Sequence, residues 1–143
     1  MIHYTMKKFT ILLAVSILAL VSCKSNNDGV MTYKDGVFTV NTTELGKDIE
    51  GFNGATPLLI TIENKVITKI EVLENEETPR FLQRVTDGLF PHMIGHEPGA
   101  VLVDDFDAIA GATYSSEAIL ANLRLGLQYW CDHWGAMYMK NRR

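Results

Sequence analysis

The chain has 143 residues, with 13 Lys and Arg against 17 Asp and Glu, a formal net charge of −4. That acidic balance argues against nucleic acid as a partner and against electrostatic docking on anionic lipid. The length allows one domain with a core of its own.

Met6-Lys7-Lys8 precedes an apolar run from Ile11 to Val21 that only Ser16 interrupts. This is a positively charged n-region and an h-region, the length of an export signal and too short for a stable membrane-spanning helix. Met1 to Thr5 read as an extension upstream of a start at Met6. Leu20-Val21-Ser22-Cys23 resembles the bacterial lipobox, which implies that residues 1–22 are removed and that Cys23 becomes the acylated N-terminus. The remaining 121 residues carry 11 Lys and Arg, a net charge of −6, so membrane attachment comes from the acyl chains. A domain of this size buries about 65% of its unfolded surface. With Cys23 taken by lipid, Cys131 has no disulfide partner, and its simplest role is packing near the end of the last helix. Residues 23–30 hold the lipidated Cys and a polar tether, Lys24 to Gly29, which leaves residues 31–143 for the domain.

Thr32 to Val40 contains an Asp35-Gly36 turn signal followed by strand-like alternation. Gly51-Phe52-Asn53-Gly54 is a glycine-flanked turn, either a plain loop or a place where backbone approaches a ligand closely. From Leu58 to Leu73, apolar alternation on both sides of Asn64-Lys65 predicts a β-hairpin at the centre of the sheet. Thr78-Pro79 opens a helix in which Phe81, Leu82, Val85 and Leu89 recur at helical spacing. His92 and His96 sit in a stretch broken by Pro91, Gly95, Pro98 and Gly99, so they read as surface histidines and not as metal ligands. Ala100 to Val103 fits one more strand. A helix starting near residue 116 then carries Leu120, Leu123, Leu127, Trp130 and Trp134 as a core stripe. The fold class expected is α+β, a small, largely antiparallel sheet packed with a middle helix and a C-terminal helix.

Between the last strand and that helix lies Asp107-Ala108-Ile109-Ala110-Gly111-Ala112-Thr113, followed by Tyr114-Ser115-Ser116. A small-residue turn running into a helix points several unpaired N–H groups and the positive end of the helix dipole at one place, which suits a phosphate. The string resembles the flavinylation motif Asp-x-x-Ser-Gly-Ala-Thr of the bacterial FMN-binding domains found in sodium-pumping and related membrane electron-transport complexes. The match holds at Asp107, Gly111, Ala112 and Thr113 and departs at Ala110, where the family more often has Ser. The resemblance implies FMN held covalently by a phosphoester on Thr113, placed there by a separate flavin transferase acting on FAD. It further implies that Glu77-Thr78-Pro79 helps form the flavin pocket; the alternative is a helix cap and nothing more. Asp107 is then an Asx turn or a recognition element for the transferase. Ser115 and Ser116 are expected as helix caps, and Tyr114 as a neighbour of the flavin or a buried structural Tyr.

The function implied is a flavin redox carrier, exported and lipid-anchored at the bacterial cell envelope, passing electrons between membrane-associated partners. Two other classes stay open: a reductase with its own small-molecule acceptor, and a flavin-free binding or assembly lipoprotein. No general acid or base stands in a recognisable constellation near the motif, which counts against the reductase.

Overall fold

The structure, a computed structural model, describes residues 26–141; the expected export signal and Cys23 lie outside the described residues. Five strands form one antiparallel sheet in chain order: β1 (Asn26–Asn27), β2 (Met31–Lys34), β3 (Val37–Asn41), β4 (Leu58–Glu63) and β5 (Val66–Val72). Three helices follow, α1 (Pro79–Leu89), α2 (Pro98–Val103) and α3 (Thr113–Asn141). The α+β class read from the sequence is the one observed.

Both hairpins turn where the sequence places them. Lys34 pairs with Val37 around Asp35 (φ +51°) and Gly36 (φ +90°), and Glu63 pairs with Val66 around Asn64 (φ +51°) and Lys65 (φ +64°). Positive φ at both central residues matches the right-handed twist of the flanking strands. In β5 the two core residues Ile67 and Ile70 are three apart, which strict alternation would put on opposite faces. A register shift opposite Thr61/Ile62 supplies the extra residue, so Ile62 pairs with Ile67 and Ile60 with Ile70 on one face.

That buried face, with Met31, Tyr33, Phe38 and Val40, packs on α3 through Ile119, Leu123, Leu127 and Trp130. The nearest approach is at Gly126, where a Cβ would stand 2.7 Å from Ile60 Cδ1 and 2.8 Å from Thr42 Cγ2. Gly126→Val should therefore destabilise the domain by about 2 kcal/mol through overpacking. A lowered urea midpoint with unchanged slope is the expected reading, and a wild-type midpoint would mean that the helix lifts freely. Beside this contact the Leu58 N–H donates to Thr42 Oγ1 (2.8 Å), which donates to Asn122 Oδ1 (3.0 Å), and Asn122 Nδ2 donates to the Ala118 carbonyl (3.1 Å). Both side chains, Thr42 and Asn122, are buried, so the network fixes the rotation of α3 on the sheet.

Four expectations change. Ala100 to Val103 is helical, because Pro98 at the first helical position and the Glu97 carbonyl, which accepts from Ala100 and Val101, start a turn. A four-residue apolar run does not distinguish strand from helix, and here Val101 is buried while Val103 is exposed. The β4–β5 hairpin is not central, since β5 forms one edge of the sheet. The C-terminal helix begins at Thr113 and runs on to Asn141, so Cys131 lies well inside it, half-buried against the core. Burial, and then the neighbouring Asp132, push its thiol pKa up.

The expected tether also ends early, for Asn26 and Asn27 already pair with Tyr33 and Thr32. Asp28 then bonds to α3, where the Tyr129 hydroxyl donates to its Oδ2 at 2.9 Å. Partial burial pushes the Asp28 carboxyl up, but bonds from the Met31 N–H, the Tyr129 hydroxyl and the Val30 N–H outweigh it and hold the pKa below its ordinary value. Burial and the Asp28 charge push the Tyr129 phenol up. Asp28 thus stays ionised and Tyr129 neutral at ordinary pH, and this link weakens as the pH falls through the lowered Asp28 pKa or rises through the raised Tyr129 pKa.

Candidate functional site

The chain enters α3 through a loop that is held from within. Gly111 adopts φ +79°, a conformation L side chains rarely take, and the Ala112 N–H donates to the Ile109 carbonyl at 3.0 Å. Ser116 is the clamp: its Oγ accepts from the Ile109 N–H (3.0 Å) and donates to the Ala112 carbonyl (2.8 Å). The Ala112 carbonyl also accepts from the Ser116 N–H at 2.9 Å, which closes the first turn of the helix. The N–H groups of Thr113, Tyr114 and Ser115 lie in that first turn, where no carbonyl of the helix itself reaches them.

Neither serine is the helix cap that the sequence suggested. Ser116 braces the loop, and Ser115 donates to Glu77 Oε2 at 2.6 Å from a fully buried position. Glu77 is itself 6% exposed, and its Oε1 accepts from the Asn53 N–H at 3.0 Å. One carboxylate therefore joins the first turn of α3 to the Gly51–Gly54 turn, which is closed by the Gly51 N–H donating to the Gly54 carbonyl (2.7 Å). Gly51 has to be glycine here, because a Cβ would collide with Glu77 Oε1. Thr78 does not cap α1 through its side chain; its Oγ1 takes a long bond from Asn53 Nδ2, 3.4 Å.

These links frame a pocket of about 310 Å³, lined by Gly111 to Ser115 on one side and by Phe52 and Phe81 on the other. Thr113 and Tyr114 are both exposed, and no side-chain hydrogen bond holds the Thr113 hydroxyl. Asp107 is exposed and forms no Asx turn; the loop is held by Ser116 instead. Ala110 offers its carbonyl to Arg84 Nη1 at 3.5 Å, and the same nitrogen lies 3.1 Å from where a Gly111 Cβ would be. Of the residues singled out from sequence, Gly111, Ala112, Thr113, Tyr114 and Ser115 line the pocket; Glu77 stands behind it, and Asp107 lies apart.

The sequence reading named the Phe52 turn and placed Phe81 among apolar helix positions, but it took neither ring as pocket lining and passed over Arg84. The signal for Phe52 was its place between two glycines in a polar turn, where a large apolar ring has no core to enter. His92 and His96 are exposed, and among the described residues no three His, Cys, Asp or Glu side chains gather as a metal site would require. Among the same residues no helix is long and apolar enough to cross a membrane.

A family model described as FMN-binding domain matches residues 51–128, from the Gly51–Gly54 turn through the pocket and most of α3. The chain belongs to that family. Comparison with curated proteins and with solved structures gave no match. The matched span of this FMN-binding domain contains every lining residue of the pocket, while β1 to β3 lie before it. Features that a flavin nucleotide could use lie close together here: the first-turn N–H groups of α3, Gly111 without a side chain, Arg84 Nη1 beside it, and the rings of Phe52, Phe81 and Tyr114.

Proposed function

We propose that this FMN-binding domain is a redox carrier that holds FMN by a phosphoester on Thr113 and passes electrons between membrane-associated partners at the bacterial cell envelope. The observation that carries the reading is the position of Thr113: an exposed hydroxyl on the first residue of α3, at the rim of the aromatic pocket. Bound FMN supplies reversible one- and two-electron chemistry. The protein's part is to fix it in place. The N–H groups of the first turn of α3 and the Arg84 guanidinium balance the phosphodiester charge, and the wall from Ser115 to Glu77 keeps the pocket open.

Attachment requires a flavin transferase. The Thr113 oxygen bonds to the FMN phosphorus of FAD, the pyrophosphate P–O bond breaks, AMP leaves and the hydroxyl proton is lost. Exposure of Thr113 supports such a transfer, since a second protein has to reach it. Asp107, exposed and uninvolved in the loop's own bonding, is available for recognition by that enzyme. Intact mass of the chain made with and without a transferase tests the proposal: a gain equal to FMN less one water is expected only with the enzyme, and no gain would remove the carrier reading.

Location rests on the sequence of residues 6–23. Replacing Cys23 with Ser should move the protein from the membrane fraction to the soluble fraction. A Cys23→Ser protein that stays with membranes after a carbonate wash would show that something other than acyl chains holds it there.

A further inference from the structure

Three of the large apolar side chains that remain exposed converge on one pocket: Phe52 at 67%, Tyr114 at 66% and Phe81 at 37%. Scattered exposed apolar residues need no explanation, but aromatic rings gathered around one concavity mark a surface that something covers. The Phe52 and Tyr114 centroids are 6.5 Å apart with planes tilted by 36°. A flat ring in contact with both faces needs about 7 Å, twice the separation of about 3.5 Å between stacked carbon atoms. The centroid spacing is therefore close to that of a slot for one aromatic layer, and the tilt means that the rings must turn to face each other.

The two rings sit on backbones that the fold holds differently. Tyr114 belongs to the first turn of α3, which the Ser115 bond to Glu77 and the Ser116 clamp keep in place. Phe52 lies between Gly51 and Gly54, with the next N–H, that of Asn53, held on Glu77. One carboxylate thus sets the spacing of both backbones, while the Phe52 side chain lines the pocket largely exposed. Electron-poor fused rings stack well between such faces.

We propose that Phe52 and Tyr114 form a clasp that takes the isoalloxazine ring between them, with Phe81 as the third wall. This goes beyond attachment at Thr113 but rests on the same pocket, so the test has two arms. In the first, protein carrying covalent FMN is quenched with iodide. The clasp predicts a shielded flavin in the wild type, a several-fold larger quenching constant in Phe52→Ala and Tyr114→Ala, and wild-type shielding in Phe52→Tyr. Equal quenching in the wild type and Phe52→Ala overturns it. In the second arm, protein made without a transferase is titrated with riboflavin. Wild type should bind riboflavin, and Phe52→Ala about tenfold more weakly. Equal binding by Phe52→Ala, or none by the wild type, counts against the clasp in that arm. Should no covalent FMN form at all, the attachment reading fails and the riboflavin arm alone decides the clasp. Phe52 and Tyr114 are largely exposed, so their variants should melt at the wild-type temperature, which separates loss of the clasp from loss of the fold.

Discussion

Thr113→Ala, co-expressed with a flavin transferase, should carry no covalent FMN: no mass gain, and no fluorescent band in a denaturing gel. The expected loss is complete, because a phosphoester needs a hydroxyl, and the neighbouring hydroxyls are committed elsewhere. Ser115 Oγ is buried on Glu77, and Ser116 Oγ is buried between the Ile109 N–H and the Ala112 carbonyl. Neither can reach a transferase without breaking the first turn of α3. The fold should survive, since Thr113 is exposed and makes no hydrogen bond whose loss would leave a buried partner. Ser115→Ala should keep the flavin. A Thr113→Ala chain that still gains the mass of FMN less water would place the attachment on another residue and remove the basis for the motif reading.

Glu77→Ala should have the largest effect on stability, about 3 kcal/mol. The substitution removes one acceptor from the Ser115 hydroxyl and one from the Asn53 N–H, and leaves the buried Ser115 unpaired. It also uncouples the Gly51–Gly54 turn from α3, so the pocket loses the contact that sets its width. Glu77→Gln should cost less, about 1 kcal/mol, because the side-chain amide keeps one acceptor oxygen and the Ser115 hydroxyl can turn to accept from its NH2 group. Urea unfolding of both variants reads the difference directly. Equal midpoints for Glu77→Ala and wild type would mean that the two bonds contribute nothing to the folded state.

The legible parts of this fold are those where local chemistry and tertiary packing agree. Asp35-Gly36 and Asn64-Lys65 specify hairpin turns by themselves, and Pro79 marks the start of α1 whatever packs against it. The start of α3 was misread for the opposite reason. Ser115 and Ser116 look like capping residues one by one, but both hydroxyls are claimed by partners distant in the chain or in the preceding loop, Glu77 lying 38 positions away. Ala100 to Val103 carried too short a pattern to separate two periodicities. Phe81 was out of reach because exposure is a property of the assembled pocket: at helical spacing with Leu82 and Val85, it had an apolar side chain that a core could have taken. The resemblance to the FMN-binding family was readable because its elements, Asp107 and Gly111 to Thr113, fall within seven residues of chain, whereas the brace behind the pocket joins residues 53, 77 and 115 and exists only after folding.

The bond from Tyr129 to Asp28 fixes where the chain comes into the domain, and with it how far the cofactor would stand from an anchor. Tyr129 is sixteen residues along α3 from Thr113, a separation of about 24 Å at roughly 1.5 Å per residue. Cys23 precedes the first paired residue, Asn26, by three positions, about 10 Å of chain at full stretch. With the lipid on Cys23, as proposed, α3 would act as a mast: its C-terminal half would be moored close to the bilayer surface by a line too short to let the domain roll far, and Thr113 would stand at the far end. A flavin there would be offered to the protruding domains of neighbouring proteins and kept clear of the hydrocarbon.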